Sequence, residues 1–257
     1  MKGAAYGVRV VRHLDWAGYF NVRDLGGLRT VDGRTTLTGR VVRADALTGL
    51  TAAGWAALTA HGVRTIIDLR NEDEQGSDAA PRPVSVITHH LPLDGSDDRE
   101  FWDVWDSGPQ FGTPLYYRPH LERMPQRSAA VLATIASAPP GGVVVHCGLG
   151  RDRAGLITTL LALVDVTPDD IVADYVLSAE RLTARAAVLG DDDEEPILSA
   201  YLAELRTTAA DVLRQLLADL DDVRALLVRG GLTEQDVATL QRRLLRPPPG
   251  HRGSSAG

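Results

Sequence analysis

The chain has one cysteine in 257 residues, Cys147. That excludes an internal disulfide framework and a multi-cysteine zinc site, and it suits a reducing compartment. No apolar run is long enough to span a bilayer; the best candidate, Leu156 to Val166, is interrupted by Asp165. The amino terminus lacks the apolar stretch of a secretory signal, because Arg9, Arg12, His13 and Asp15 break it up. A net charge of −7 leaves no broad basic face, so nucleic acid is not the expected partner. Together these absences predict a cytoplasmic protein without an integral membrane segment.

What is present centres on His146-Cys147-Gly148-Leu149-Gly150-Arg151-Asp152-Arg153-Ala154-Gly155. The apolar run Gly142-Val143-Val144-Val145 precedes it and Leu156 to Val164 follows, so it reads strand, loop, helix. Small residues at such a junction make an anion cradle, with backbone N–H groups turned inward and a helix N-terminus adding positive charge. A thiol held there has its pKa lowered, since the cradle favours the thiolate. Cys147, with an arginine six positions on, suggests a nucleophile aimed at phosphorus.

Residues 8–12 alternate apolar and basic like a short edge strand. Gly26-Gly27 marks a turn to which Asn21, Arg23 and Asp24 bring polar groups, with Arg23 and Asp24 readable as a structural pair. Val41 to Ala44 is a strand, and Thr51 caps a helix over 52–60 ended by His61-Gly62. Val63 to Arg70 is a buried strand; Asp68 and Arg70 at its end are either site residues or an ion pair bracing the loop. Val84 to Leu91 is a strand whose adjacent His89 and His90 point to opposite faces, which argues against a shared metal. Residues 94–114, with Phe101, Trp102 and Trp105, form a lid, a substrate-facing loop or a satellite cluster. Helices are expected over 115–138, with Pro119 and Pro125 able to break the first half. Further helices are expected from Thr167-Pro168 to Leu189, over 196–206 and 208–228, and from Thr233 to Leu245. The result is one α/β domain over 1–246 with a helical extension, and a disordered tail over 247–257.

Other loop chemistries fail on missing residues. A dinucleotide fingerprint would need glycine where Arg153 stands, and a nucleotide P-loop would need Lys-Ser/Thr where Leu156 and Ile157 stand. Zinc would need more ligands than Cys147 and His146. A merely structural cysteine would leave Arg151, Asp152 and Arg153 crowded beside it without a task. The remaining pattern is Cys-x5-Arg, the signature of cysteine-dependent phosphatases.

The loop HCGLGRDRAG, with NVRDLGG at 21–27, TIIDLR at 65–70, DYVLS at 174–178 and GGLTEQDVATLQRRLL near the end, resembles one bacterial family. It is the protein tyrosine phosphatases whose loop usually reads HCxxGKDRTG, including secreted mycobacterial and listerial enzymes of dual or triple specificity. The resemblance implies an α/β cysteine-phosphatase fold: a mostly parallel central sheet flanked by helices, with extra C-terminal or lid helices. It implies Cys147 as nucleophile, Arg153 as phosphate clamp and Asp152 as acid, with Asp94, Asp97, Asp98 or Asp68 as other candidates. Gly148, Leu149, Gly150, Arg151, Asp152 and Arg153 would bind phosphate, and His146, Asp68, Arg70, Arg23 and Asp24 would support them. His146 would fix the loop and help lower the thiol pKa. No cofactor is implied. The partners implied are phosphotyrosine proteins or small phosphomonoesters, with phosphoinositides open because Arg151 replaces the family's lysine. Ala154 replaces its threonine, whose hydroxyl would help the sulfur leave, so phosphoenzyme hydrolysis is expected to be slow. A degenerate phosphate-binding protein and a rhodanese-type sulfurtransferase are the competing expectations.

Overall fold

The computed structural model describes residues 12–246. The strand expected over 8–12 lies, but for Arg12, outside them, as does the 247–257 tail. Five strands form the centre: β1 (Arg23–Asp24), β2 (Val41–Ala44), β3 (Val63–Asp68), β4 (Ile87–His90) and β5 (Gly142–His146). Their order is β1-β2-β5-β3-β4, with β1 antiparallel and the rest parallel. β5 is buried along its whole length, as a central parallel strand must be, which is why it reads as a valine run.

Its side chains split between two apolar layers. Val144 joins Val42 and Ile66 under Trp55 and Leu58 of α1 (Ala52–Ala60). Val143 and Val145 join Val41 and Ile67 on the other face. That larger layer takes in α3 (Tyr117–Arg123), α4 (Pro125–Ser137), α5 (Arg153–Thr159), α6 (Pro168–Leu189), α8 (Ala209–Ala218), α9 (Leu220–Arg229) and α10 (Glu234–Leu244). Two helices rim the carboxyl ends of the strands, α2 (Arg99–Trp105) and α7 (Glu195–Glu204). Among the described residues no helix is long and apolar enough to cross a membrane.

Three expected elements differ. The helix over 115–138 is two, broken at Pro125 as its proline allowed, with Met124 forced out of helical geometry (φ −133°, ψ 49°). Pro119 does not break α3, since it lies in the first turn, where no backbone donor is needed. The helix over 208–228 is likewise split at Asp219 (φ −101°, ψ 37°). The strand over 84–91 shrinks to β4, because Pro83 closes a turn with the Val86 N–H.

Candidate active site

Parallel pairing sets Ala44 and Asp68 level with His146, so the loops after β2, β3 and β5 meet at one sheet edge. Cys147 emerges there. Each carbonyl of the following loop is held from outside. Gly148 O accepts from Ala46 N (2.9 Å) and Leu149 O from Asn21 Nδ2 (2.9 Å). Gly150 O accepts from Arg43 Nε (2.7 Å), Arg151 O from Arg43 Nη2 (2.9 Å), and Asp152 O from Tyr117 Oη (2.7 Å). A planar trans peptide points its N–H opposite its C=O, so the N–H groups of 149–153 face inward. Gly150 has φ +69°, and a Cβ there would sit 2.6 Å from Ala44 O, so only glycine fits.

Behind the loop lies a buried charge network. Asp174 of α6 accepts from Arg12 (2.6 Å), Arg23 (2.9 Å) and Arg43 (3.0 Å), and this positive surrounding holds its carboxyl well below the usual range despite burial. Arg23 also donates to Ser178 Oγ (2.9 Å) and to Asn21 Oδ1. Arg23 is therefore paired with Asp174 and not with Asp24. Asp24 is not brought to the loop: it accepts from Gly26 N and Gly39 N and pairs with His61 (2.7 Å), fixing a turn.

Cys147 is 1% exposed, and the N–H groups of Ala154 and Gly150 lie close enough to favour its thiolate. The expected lowering of the thiol pKa is absent. Burial pushes the thiol up, with Asp152 adding to the effect, while Arg153 and the two N–H groups pull the other way. Arg153 is itself neutralised, as Glu74 forks onto it through Nη1 and Nη2 (2.6 Å to the latter) and Asp94 lies 3.1 Å from Nη1. His146 does not supply positive charge either. Burial drives its pKa down to about 4, so it is a neutral imidazole 3.6 Å from Asp68.

Asp68 and Arg70 form a bidentate pair (2.7 and 3.0 Å), and Arg70 donates to Glu74 O (3.1 Å), steadying the turn that carries Glu74. The Arg151 side chain bridges Asp152 (3.1 Å) and Glu194 (3.0 Å), tying the loop to the start of α7. Over Cys147 is a cavity of about 380 Å³, walled by residues 147–149, Arg151, Asp152, Arg153, Glu74, Asp106 and parts of the segments around Phe111 and Ile197. Asp94 does not line it, and Asp97 and Asp98 are paired with Arg127 and Arg123. Burial raises Asp94 to about 6, with Arg153 and Asn71 opposing. Sequence reasoning missed Glu74, Arg43 and Tyr117. Arg43 carried one usable signal, its place near the carboxyl end of a central strand.

A family model described as the tyrosine phosphatase family matches residues 14–246. The chain is 30% identical over 219 residues to a tyrosine-protein phosphatase of Nostoc commune, spanning 79% of this chain and 73% of that one. It is 29% identical over 200 residues to the triple specificity protein phosphatase PtpB of Mycobacterium tuberculosis, spanning 64% of this chain and 68% of that one.

Proposed function

Because the chain belongs to the tyrosine phosphatase family and is a cysteine-based protein tyrosine phosphatase, we propose that Cys147 is its nucleophile, Arg153 its phosphate clamp and Asp152 its acid. The supporting observation is the loop whose carbonyls are all drawn outward, leaving its N–H groups to meet the equatorial oxygens of a phosphoryl group above Cys147. The Cys147 thiolate attacks in line. The S–P bond forms as the bond to the leaving oxygen breaks, and Asp152 gives that oxygen its proton. Water then attacks phosphorus, Asp152 takes the proton back, and the thiolate leaves. Arg153 releases Glu74 and Asp94 as the phosphoryl oxygens take its fork.

Asp152 is preferred as acid because it lines the cavity over Cys147, where Asp94 does not. Asp94 is the second reading, carried by its raised pKa beside Arg153. Phosphotyrosine is the expected substrate. The phosphoinositide activity left open by Arg151 is disfavoured, since Glu194 already neutralises that side chain. The reaction needs a free thiol, which fits a cytoplasmic setting. The test compares wild type with Cys147→Ser on p-nitrophenyl phosphate and a phosphotyrosyl peptide. Turnover by wild type and none by the serine variant supports the assignment; equal turnover by both defeats it.

A further inference from the structure

The cavity over Cys147 has a larger neighbour of about 580 Å³, and the two share Glu74, Asp106, Phe111 and Arg153. Its walls carry five carboxylates, Asp73, Glu74, Asp94, Asp103 and Asp106, against the guanidiniums of Arg99 and Arg153. Arg153 is already engaged by Glu74 and Asp94. Among the described residues Asp73, Asp103 and Asp106 make no ion pair. Nearby acids that do not line the cavity, Asp97, Asp98 and Glu100, are all paired with Arg127 or Arg123.

Two further features point to a cationic occupant. Asp94 is 6% exposed, lines the cavity, and its Oδ1 meets no hydrogen-bond donor. Trp102 and Phe111 stand edge to face in the wall with ring centroids 5.6 Å apart, offering aromatic surface beside the acids. A phosphomonoester dianion approaching Cys147 meets this net negative wall and is repelled by it. A cation carried next to the phosphate reverses that effect. An ammonium or guanidinium would pair with the free carboxylates, give Asp94 Oδ1 a donor and rest on an aromatic face.

We propose that this cavity is a subsite for a basic side chain, so that the enzyme selects phosphotyrosyl peptides with Lys or Arg beside the phosphorylated residue. The proposal rests on Cys147 and its loop being the reacting centre.

The test measures kcat/KM for three phosphotyrosyl peptides that differ only in the flanking residues, Lys, Ala or Glu, with p-nitrophenyl phosphate as a substrate that cannot reach the subsite. Wild type is compared with the double variant Asp73→Asn/Asp103→Asn. The Lys peptide should exceed the Glu peptide by about fivefold or more at low salt, as expected for two exposed pairs. The difference should shrink to about twofold or less in the double variant and at high salt, with p-nitrophenyl phosphate turnover unchanged. Equal rates on the three peptides, faster turnover of the Glu peptide, or a preference that survives in the double variant would each overturn the subsite. Absence of p-nitrophenyl phosphate turnover by wild type would overturn the reacting centre, and the subsite with it.

Discussion

Glu74 and Arg153, 79 positions apart in the chain, form a forked ion pair at the mouth of the loop that carries Cys147, where we place the phosphate clamp. The carboxylate matches the fork much as a phosphate would and leaves little free positive charge beside Cys147. Replacing Glu74 by Gln should lower the Cys147 pKa, because Arg153 then acts on the thiolate. Alkylation by iodoacetamide at pH 7 should become several-fold faster, with its midpoint at lower pH. An unshifted profile would show that Glu74 does not control the thiol.

Arg43 is 0% exposed and donates to Gly150 O, Arg151 O, Thr158 Oγ1 and Asp174. Arg43→Met would leave two loop carbonyls without their donor and relax the cradle. The expected cost is about 3 kcal/mol of stability by denaturant titration. Arg43→Lys keeps the charge but loses the fork, so phosphate inhibition should weaken in both variants.

The acid assignment separates by pH. Asp152→Asn should lose about 100-fold in kcat on phosphotyrosine, and the alkaline limb reporting the protonated acid should disappear. Asp94→Asn should keep that limb. The reverse pattern would transfer the role to Asp94.

Ala154 is fully buried at the sulfur and offers no hydroxyl to it. Hydrolysis of the phosphocysteine should therefore limit turnover, giving a burst of p-nitrophenol in stopped flow. Ala154→Thr should reduce the burst and raise kcat by about threefold or more. Single-phase kinetics in wild type would exclude a rate-limiting second step.

Asp45 follows β2, is 5% exposed, and its Oδ1 has no hydrogen-bond partner. Burial raises its pKa to about 6, so the folded protein holds this proton more tightly than the unfolded chain. Its ionised form costs stability at neutral pH, and that cost fades as pH falls through about 6 toward the ordinary carboxylate value. Asp45→Asn should thus be more stable than wild type at pH 8, on the order of 2 kcal/mol, with the gap closing near pH 4. A constant offset in melting temperature from pH 8 to pH 4 would contradict the titration.

Local spacing made much of the fold visible. The valine run of β5, the cap and proline that start α6, and the glycine-punctuated loop after Val145 each follow from neighbouring residues alone. Pro125 announced the break at Met124, whereas the one at Asp219 was harder, because no proline marks it and the backbone departs for only one residue. The lowered thiol pKa was expected from the loop's type, whereas the balance of burial against a neutralised arginine depends on groups far along the chain.

By itself the sequence determined that Cys147 and Arg153 sit together on a strand–loop–helix, since the unit runs unbroken from Gly142 to Thr159 and its geometry is local. Only the tertiary structure decided who holds them. Asn21, Arg43, Tyr117 and Asp174 converge behind the loop, and Glu74 and Asp94 converge in front of it. Such contacts join segments up to 162 residues apart, as between Arg12 and Asp174, and charge pairing carries no signature in spacing until folding brings the partners together.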